Sequence, residues 1–118
     1  MKIVIIDDDI DFCILFKRIL KKSNHEVYVQ HALKDGFRLI DEVHPEVIFL
    51  DNNLPDGEGW MWAKKIKIDL PNAFINLMSA NDRSFLNLQE FDNAVWEKPI
   101  TKEQIENYFR FLKSPVAA

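Results

Sequence analysis

Four apolar runs each end on a polar residue, and no other feature constrains this chain as tightly. Ile3-Val4-Ile5-Ile6 runs into Asp7-Asp8-Asp9, and Val47-Ile48-Phe49-Leu50 runs into Asp51. Ile75-Asn76-Leu77-Met78 ends at Ser79, and Ala94-Val95-Trp96-Glu97 at Lys98-Pro99. Apolar runs that lack polar alternation are strands buried on both faces, the kind found in parallel sheets covered by helices. If these strands are parallel neighbours, their C-terminal ends bring several carboxylates, one hydroxyl and one ammonium around one small space.

Helical patterns fill the gaps between the runs. A helix reads from about Asp9 to Lys22, with Phe12, Leu15, Phe16 and Ile19 at helical spacing. Val27-Tyr28-Val29 is a short strand at an edge. Leu33 to Val43 is a second helix with Leu33, Phe37 and Ile40 on one stripe, stopped by His44-Pro45. After the strand at residues 46–51, Asn52 to Gly57 reads as a loop and Glu58 to Ile68 as a helix, with Pro71 ending that unit. Phe74 to Met78 is the fourth strand. Ser84 to Phe91 leaves room for only a shortened fourth helix, and Ala94 to Glu97 is the fifth strand. Thr101-Lys102-Glu103-Gln104 has capping-box form and opens a last helix with the stripe Ile105, Tyr108, Phe109 and Leu112.

Five βα units indicate an α/β domain with an open, doubly wound, five-stranded parallel sheet. An eight-fold barrel needs about twice the residues. In the flavodoxin-like (βα)5 arrangement, with strand order 2-1-3-4-5, ligands bind beyond the strand ends where the order reverses, between strands 1 and 3. Those are the two strands that end in acids here. One domain is expected over residues 1–113, with 114–118 a tail or the start of a linker.

Composition narrows the function classes. With 47% hydrophobic and 29% charged residues in 118, the chain can bury an ordinary globular core. A net charge of -4 argues against direct nucleic-acid binding. The single cysteine, Cys13, excludes an internal disulfide and fits a reducing compartment. There is no signal-peptide pattern and no apolar stretch of membrane-spanning length, so a soluble, cytoplasmic protein is expected.

The strand-end cluster has a definite chemistry. Asp7, Asp8 and Asp51 within a few Å would repel, so one of them should hold a raised pKa or the group should recruit a cation. Hard oxygen ligands favour Mg²⁺, and admit Mn²⁺. A carboxylate beside such an ion can act as a nucleophile and form an aspartyl phosphate, with Asp51 at the centre. Lys98 supplies a compact positive charge for the phosphoryl group, and Ser79 a hydroxyl donor. The only glycines are Gly36, Gly57 and Gly59, so no Gly-rich phosphate loop is present.

These pieces carry a family resemblance over essentially the whole chain. Ile5-Ile6-Asp7-Asp8-Asp9, the stretch from Pro45 through Asp51 to Leu54-Pro55-Asp56-Gly57-Glu58-Gly59, Leu77-Met78-Ser79-Ala80 and Glu97-Lys98-Pro99-Ile100 follow in order and near-family spacing. The chain resembles the receiver domain of bacterial two-component response regulators. The resemblance implies that Asp51 is the phosphoacceptor and that Asp8 and Asp51 bind Mg²⁺, with Asp7 assisting and the backbone carbonyl of Asn53 as a further ligand. It implies that Lys98 pairs with the phosphoryl group, that Ser79 is the switch hydroxyl, and that Asn53 and Asn81 tune dephosphorylation. The implied partners are a sensor histidine kinase or phosphotransfer protein upstream, and a downstream protein or output domain, with homodimerisation open. Such a domain is a regulator that catalyses its own phosphotransfer and dephosphorylation, rather than a metabolic enzyme.

Three features depart from the family pattern. Val95 stands where the family carries a Tyr or Phe that swings inward on activation, and strand alternation points the adjacent Trp96 to the opposite face. Only 18 residues separate Ser79 from Lys98, fewer than the resemblance implies. Asn76 interrupts an apolar strand, and an unsatisfied buried amide would cost about 1–3 kcal/mol. The alternative function is an atypical receiver that binds partners independently of phosphorylation. Elsewhere, Asp9 and Asp11 read as helix-start charges, Cys13 and Trp60 as core, Trp62 as partly exposed, and His25, His31 and His44 as solvated.

Overall fold

A computed structural model describes residues 1–80 and 94–112. Five parallel strands make one sheet: β1 (Lys2–Ile6), β2 (Glu26–Gln30), β3 (Val47–Asp51), β4 (Phe74–Ser79) and β5 (Ala94–Glu97). Their spatial order is β2-β1-β3-β4-β5, with every neighbouring pair parallel. The order reverses at β1, so the C-terminal ends of β1 and β3 stand side by side. In the register Ile6 faces Leu50, and Asp7 and Asp51 follow one step further on.

Pleat alternation sorts the apolar runs into two cores. Val4, Ile6, Ile48, Leu50, Ile75 and Leu77 face α2 (Leu33–Val43) and α3 (Ala63–Asp69). Ile3, Ile5, Val47, Phe49 and Met78 face α1 (Ile10–Lys21) and α4 (Lys102–Leu112). Both faces are covered, which is why β1 and β3 are almost unbroken in apolar residues. Gly36 lets α2 approach closely, since a Cβ there would sit 2.5 Å from the Ile6 Cδ1. No helix among the described residues is long and apolar enough to cross a membrane.

Local chemistry sets the helix ends. Asp9 caps α1 by accepting from the Phe12 N–H at 3.0 Å. The Thr101 capping box is made in both directions: Gln104 N–H donates to Thr101 Oγ1 (3.1 Å), and Thr101 N–H donates to Gln104 Oε1 (2.8 Å). His44, in the left-handed region at φ 52, closes α2 ahead of Pro45.

Several expectations need correction. Leu15 is exposed, and the buried stripe of α1 is Cys13, Phe16 and Leu20, with Phe12 and Ile19 flanking it. The Asn52–Gly57 loop contains a small antiparallel ladder, Asn53–Leu54 against Gly57–Glu58. That ladder occupies Glu58, and the Asn52 carbonyl and side chain take the N–H groups of Gly59 and Trp60. The next turn, Gly59–Trp62, is therefore 3₁₀, and the α-helix begins only at Ala63. His25 is buried, not solvated. Its ring lies 4.6 Å from that of Phe109 on α4 and its Nδ1 is 3.2 Å from the amino group of Met1, because the residue leading into β2 packs against that helix. The shortened helix expected at Ser84–Phe91 and the tail at 114–118 lie outside the described residues.

Candidate functional site

The site forms where α1 springs from the end of β1. Asp7 is fully buried there. Its Oδ1 accepts the Asp9 N–H (2.9 Å) and its Oδ2 accepts the Lys98 ammonium (2.5 Å). Both carboxylate oxygens are thus engaged, one by the backbone that starts α1 and one by the end of β5. Asp8, the next residue, is exposed and borders the opening.

Asp51 closes β3 and is 5% exposed. The Lys98 Nζ lies 3.8 Å from its Oδ1, so the ammonium stands between two buried carboxylates. Ligand oxygens of Asp7, Asp8 and Asp51 all fall within 4.8 Å of one another. One ammonium faces three carboxylates. Burial first, and then Asp7, push the Asp51 carboxyl from its ordinary 3.8 up to about 6, with Lys98 pulling the other way. Burial on its own would lower the pKa of Lys98. The hydrogen bond to Asp7 and the fields of Asp51, Asp7 and Asp9 outweigh it, and the net direction is upward.

This donor set fits a hard divalent cation. It offers clustered carboxylate oxygens, a residual negative charge and an open side at Asp8, and Mg²⁺ characteristically takes few protein ligands and keeps several waters.

The other expected residues are placed as follows. Ser79 ends β4 and is 2% exposed; its carbonyl accepts the Lys98 N–H at 2.8 Å, which ties the two strand ends together. Asn53 is exposed in the small ladder, paired with Glu58. Val95 pairs with Leu77 and is 40% exposed, while Trp96 points into the α1/α4 core. Asn81 lies outside the described residues. Asn76 finds partners for its whole amide: it accepts the Trp96 Nε1–H at 3.0 Å and donates to the carbonyls of Ile48 (3.3 Å) and Phe74 (3.4 Å).

Four contributors escape sequence reading. The ring of Phe12 lies 4.5 Å from the Lys98 Nζ. His31 sits 2.9 Å from the Asp7 carbonyl through Nδ1; a carbonyl only accepts, so that nitrogen carries the hydrogen. Asp56 reaches back from the loop after β3 to the start of α2, where Oδ1 takes the Leu33 N–H (2.7 Å) and Oδ2 the Lys34 N–H (3.0 Å). Gly59 must lack a Cβ, because one there would collide with the Asp51 carbonyl. The loop stretch Leu54-Pro55-Asp56-Gly57-Glu58-Gly59 contains the last two without showing what they do; for Phe12 and His31 the sequence offers no signal.

Comparisons with known proteins agree with this architecture. A family model described as the Response regulator receiver domain matches residues 3–110. The chain is 28% identical over 93 residues to the uncharacterized transcriptional regulatory protein YvcP of Bacillus subtilis (strain 168), covering 79% of this chain and 39% of that protein. It thus spans about two fifths of that relative's length. Among solved structures it is similar to a two-component response regulator from Clostridium difficile, with 27% identity, a TM-score of 0.81, and coverage of 97% of this chain and 99% of that one. A CheY-like receiver domain protein from Methanospirillum hungatei JF-1 shares the fold at a TM-score of 0.83 and 22% identity, over 92% of this chain and 90% of that one.

Proposed function

The chain belongs to the response regulator receiver domain family of two-component systems, and from that premise we propose that it is a phosphorylation-controlled switch with Asp51 as its phosphoacceptor. The observation that carries this reading is the Lys98 ammonium, 2.5 Å from Asp7 and 3.8 Å from Asp51, beside three carboxylates that share one small space. An Asp51 oxygen attacks phosphorus and forms an O–P bond. The P–N bond of a phosphohistidine on the donor breaks, and the imidazole nitrogen keeps the electron pair. Lys98 offers its positive charge to the incoming phosphoryl oxygens, and Ser79 contributes a hydroxyl donor. Asp7 anchors Lys98 and, with Asp8, Asp51 and the Asn53 carbonyl, would hold Mg²⁺. When bound, that ion neutralises the carboxylates and accepts phosphoryl oxygens. Hydrolysis of the acyl phosphate, tuned by Asn53 and Asn81, returns the resting state. The upstream partner is a histidine kinase or phosphotransfer protein, and the downstream one an output domain or separate protein.

Incubation with radiolabelled acetyl phosphate and Mg²⁺ tests the assignment. Wild type gains a base-labile phosphate and Asp51→Asn does not. Uptake by Asp51→Asn at the wild-type level would sink the choice of acceptor. A second reading, in which the domain binds partners independently of phosphate, is favoured by one observation. Val95 on β5 is 40% exposed and has no ring to swing inward. Partner binding insensitive to beryllofluoride would support that reading over the first.

A further inference from the structure

We propose that Phe12 is a positioning residue of the phosphoryl-transfer site, its ring face confining the Lys98 ammonium to the gap between Asp7 and Asp51. This role rests on the reading of Asp51 as phosphoacceptor. The Lys98 Nζ is 4.5 Å from the Phe12 ring centroid, inside the range of about 6 Å over which a ring quadrupole attracts a cation. The same nitrogen is hydrogen-bonded to Asp7 and lies near Asp51. Lysine carries its charge on a flexible four-carbon stem, and two unequal anions alone do not define where that charge rests. The ring adds a third, uncharged attraction. It narrows the range of the ammonium without putting a further negative charge into a cluster that already has an excess.

Phe12 is well suited to this because it is itself held from two sides. Its N–H is capped by Asp9, whose own N–H donates to Asp7. Its ring packs on Phe16 at 5.3 Å, and Phe16 meets Phe49 edge-on at 4.8 Å. Phe49 lies on β3, two residues before Asp51. The ring over the lysine is therefore referenced to both carboxylates that the lysine must bridge. A leucine would fill much of the same space but offers no quadrupole, whereas a tyrosine keeps one.

Two measurements separate this role from simple packing. At saturating phosphoramidate and Mg²⁺, Phe12→Leu slows phosphorylation roughly three- to tenfold while Phe12→Tyr stays within about twofold of wild type. The phosphoramidate concentration for half-maximal rate, and the Mg²⁺ affinity, stay unchanged. Independently of any phosphate, the ε-methylene protons of Lys98 are shifted upfield by the ring in wild type and Phe12→Tyr. They move to the ordinary lysine position in Phe12→Leu. If Phe12→Leu reacts at the wild-type rate, or its Lys98 ε protons match wild type, the positioning role is overturned. Asp51→Asn in the same assay tells the failures apart. Inert, it leaves the acceptor reading standing without Phe12; if it still gains phosphate, both readings fall.

Discussion

The Asp51 carboxyl, pushed up to about 6 by burial and by Asp7, changes charge within an easily measured range. Between about pH 4 and pH 6 the folded, metal-free domain holds a proton there that the unfolded chain, titrating near 3.8, has released. This group therefore makes stability fall as pH rises through that window and level off above it, by on the order of 3 kcal/mol. Urea denaturation in chelator across this range should show the fall in wild type and a flat contribution in Asp51→Asn, with the variant more stable at pH 7. Added Mg²⁺ should recover stability in wild type and much less in the variant. A wild-type curve that rises from pH 4 to 6 as steeply as the variant's would contradict the raised pKa. Cys13 is shifted in the same sense. Burial first, then the field of Asp7, push its thiol up to about 12, so it is held as the unreactive thiol. A thiol reagent at pH 8 should leave the native protein unlabelled and modify it stoichiometrically in denaturant.

At the scale of elements, the loop after β3 is fastened at its base and at its turn. Asn52 holds the Gly59 and Trp60 N–H groups at the base, and Asp56 in the turn caps α2 from outside that helix. Ala32, at the N-cap position of α2, makes no side-chain cap bond, so the start of α2 depends on Asp56. The two backbone donors also lower the pKa of Asp56. Asp56→Ala should lower Tm and speed amide hydrogen exchange at Leu33 and Lys34, leaving exchange in α4 unchanged. Exchange at those two amides that matches wild type would show that the cap is unimportant. The helix periods and the Thr101 box were legible in the sequence because they are local. The Asp56 cap was not, since 22 and 23 residues separate its partners. Leu15 was misread for a related reason: apolar spacing defines a stripe, but only packing on β1 and β3 decides which edge of it is buried.

On the scale of the whole molecule, Asn76 joins three strands of the sheet and, through Trp96, the helix α4. It sits on β4, takes the indole N–H of Trp96 on β5 and donates to the Ile48 carbonyl on β3. Trp96 and Tyr108 also meet edge-on at 5.2 Å, and both pack against Phe49. A fully partnered buried amide of this kind selects one seating of the helix on the sheet. Asn76→Ala leaves the indole N–H without its acceptor, and should cost about 1–3 kcal/mol in urea denaturation. Trp96 emission should change with it. An Asn76→Ala variant as stable as wild type would mean that water replaces the amide at no loss.

What the sequence determined alone was whatever depends on near neighbours: strands from unbroken apolar runs, helices from their period, caps from their residues, and the identity of the groups at strand ends. Parallel pairing then leaves few ways to arrange five such units, so Asp7, Asp8, Asp51, Ser79 and Lys98 fall to one edge on the sequence alone. Only the tertiary structure decided how those groups share their charges. The 2.5 Å contact of Lys98 with Asp7, the ring of Phe12 above it, the His31 contact behind Asp7 and the burial of His25 all join residues far apart in sequence. Their geometry is set by the pitch of helices on a twisted sheet. Periodicity names the face on which a side chain lies, but a distance of a few Å between charges, which governs the electrostatics, exists only once the layers have packed.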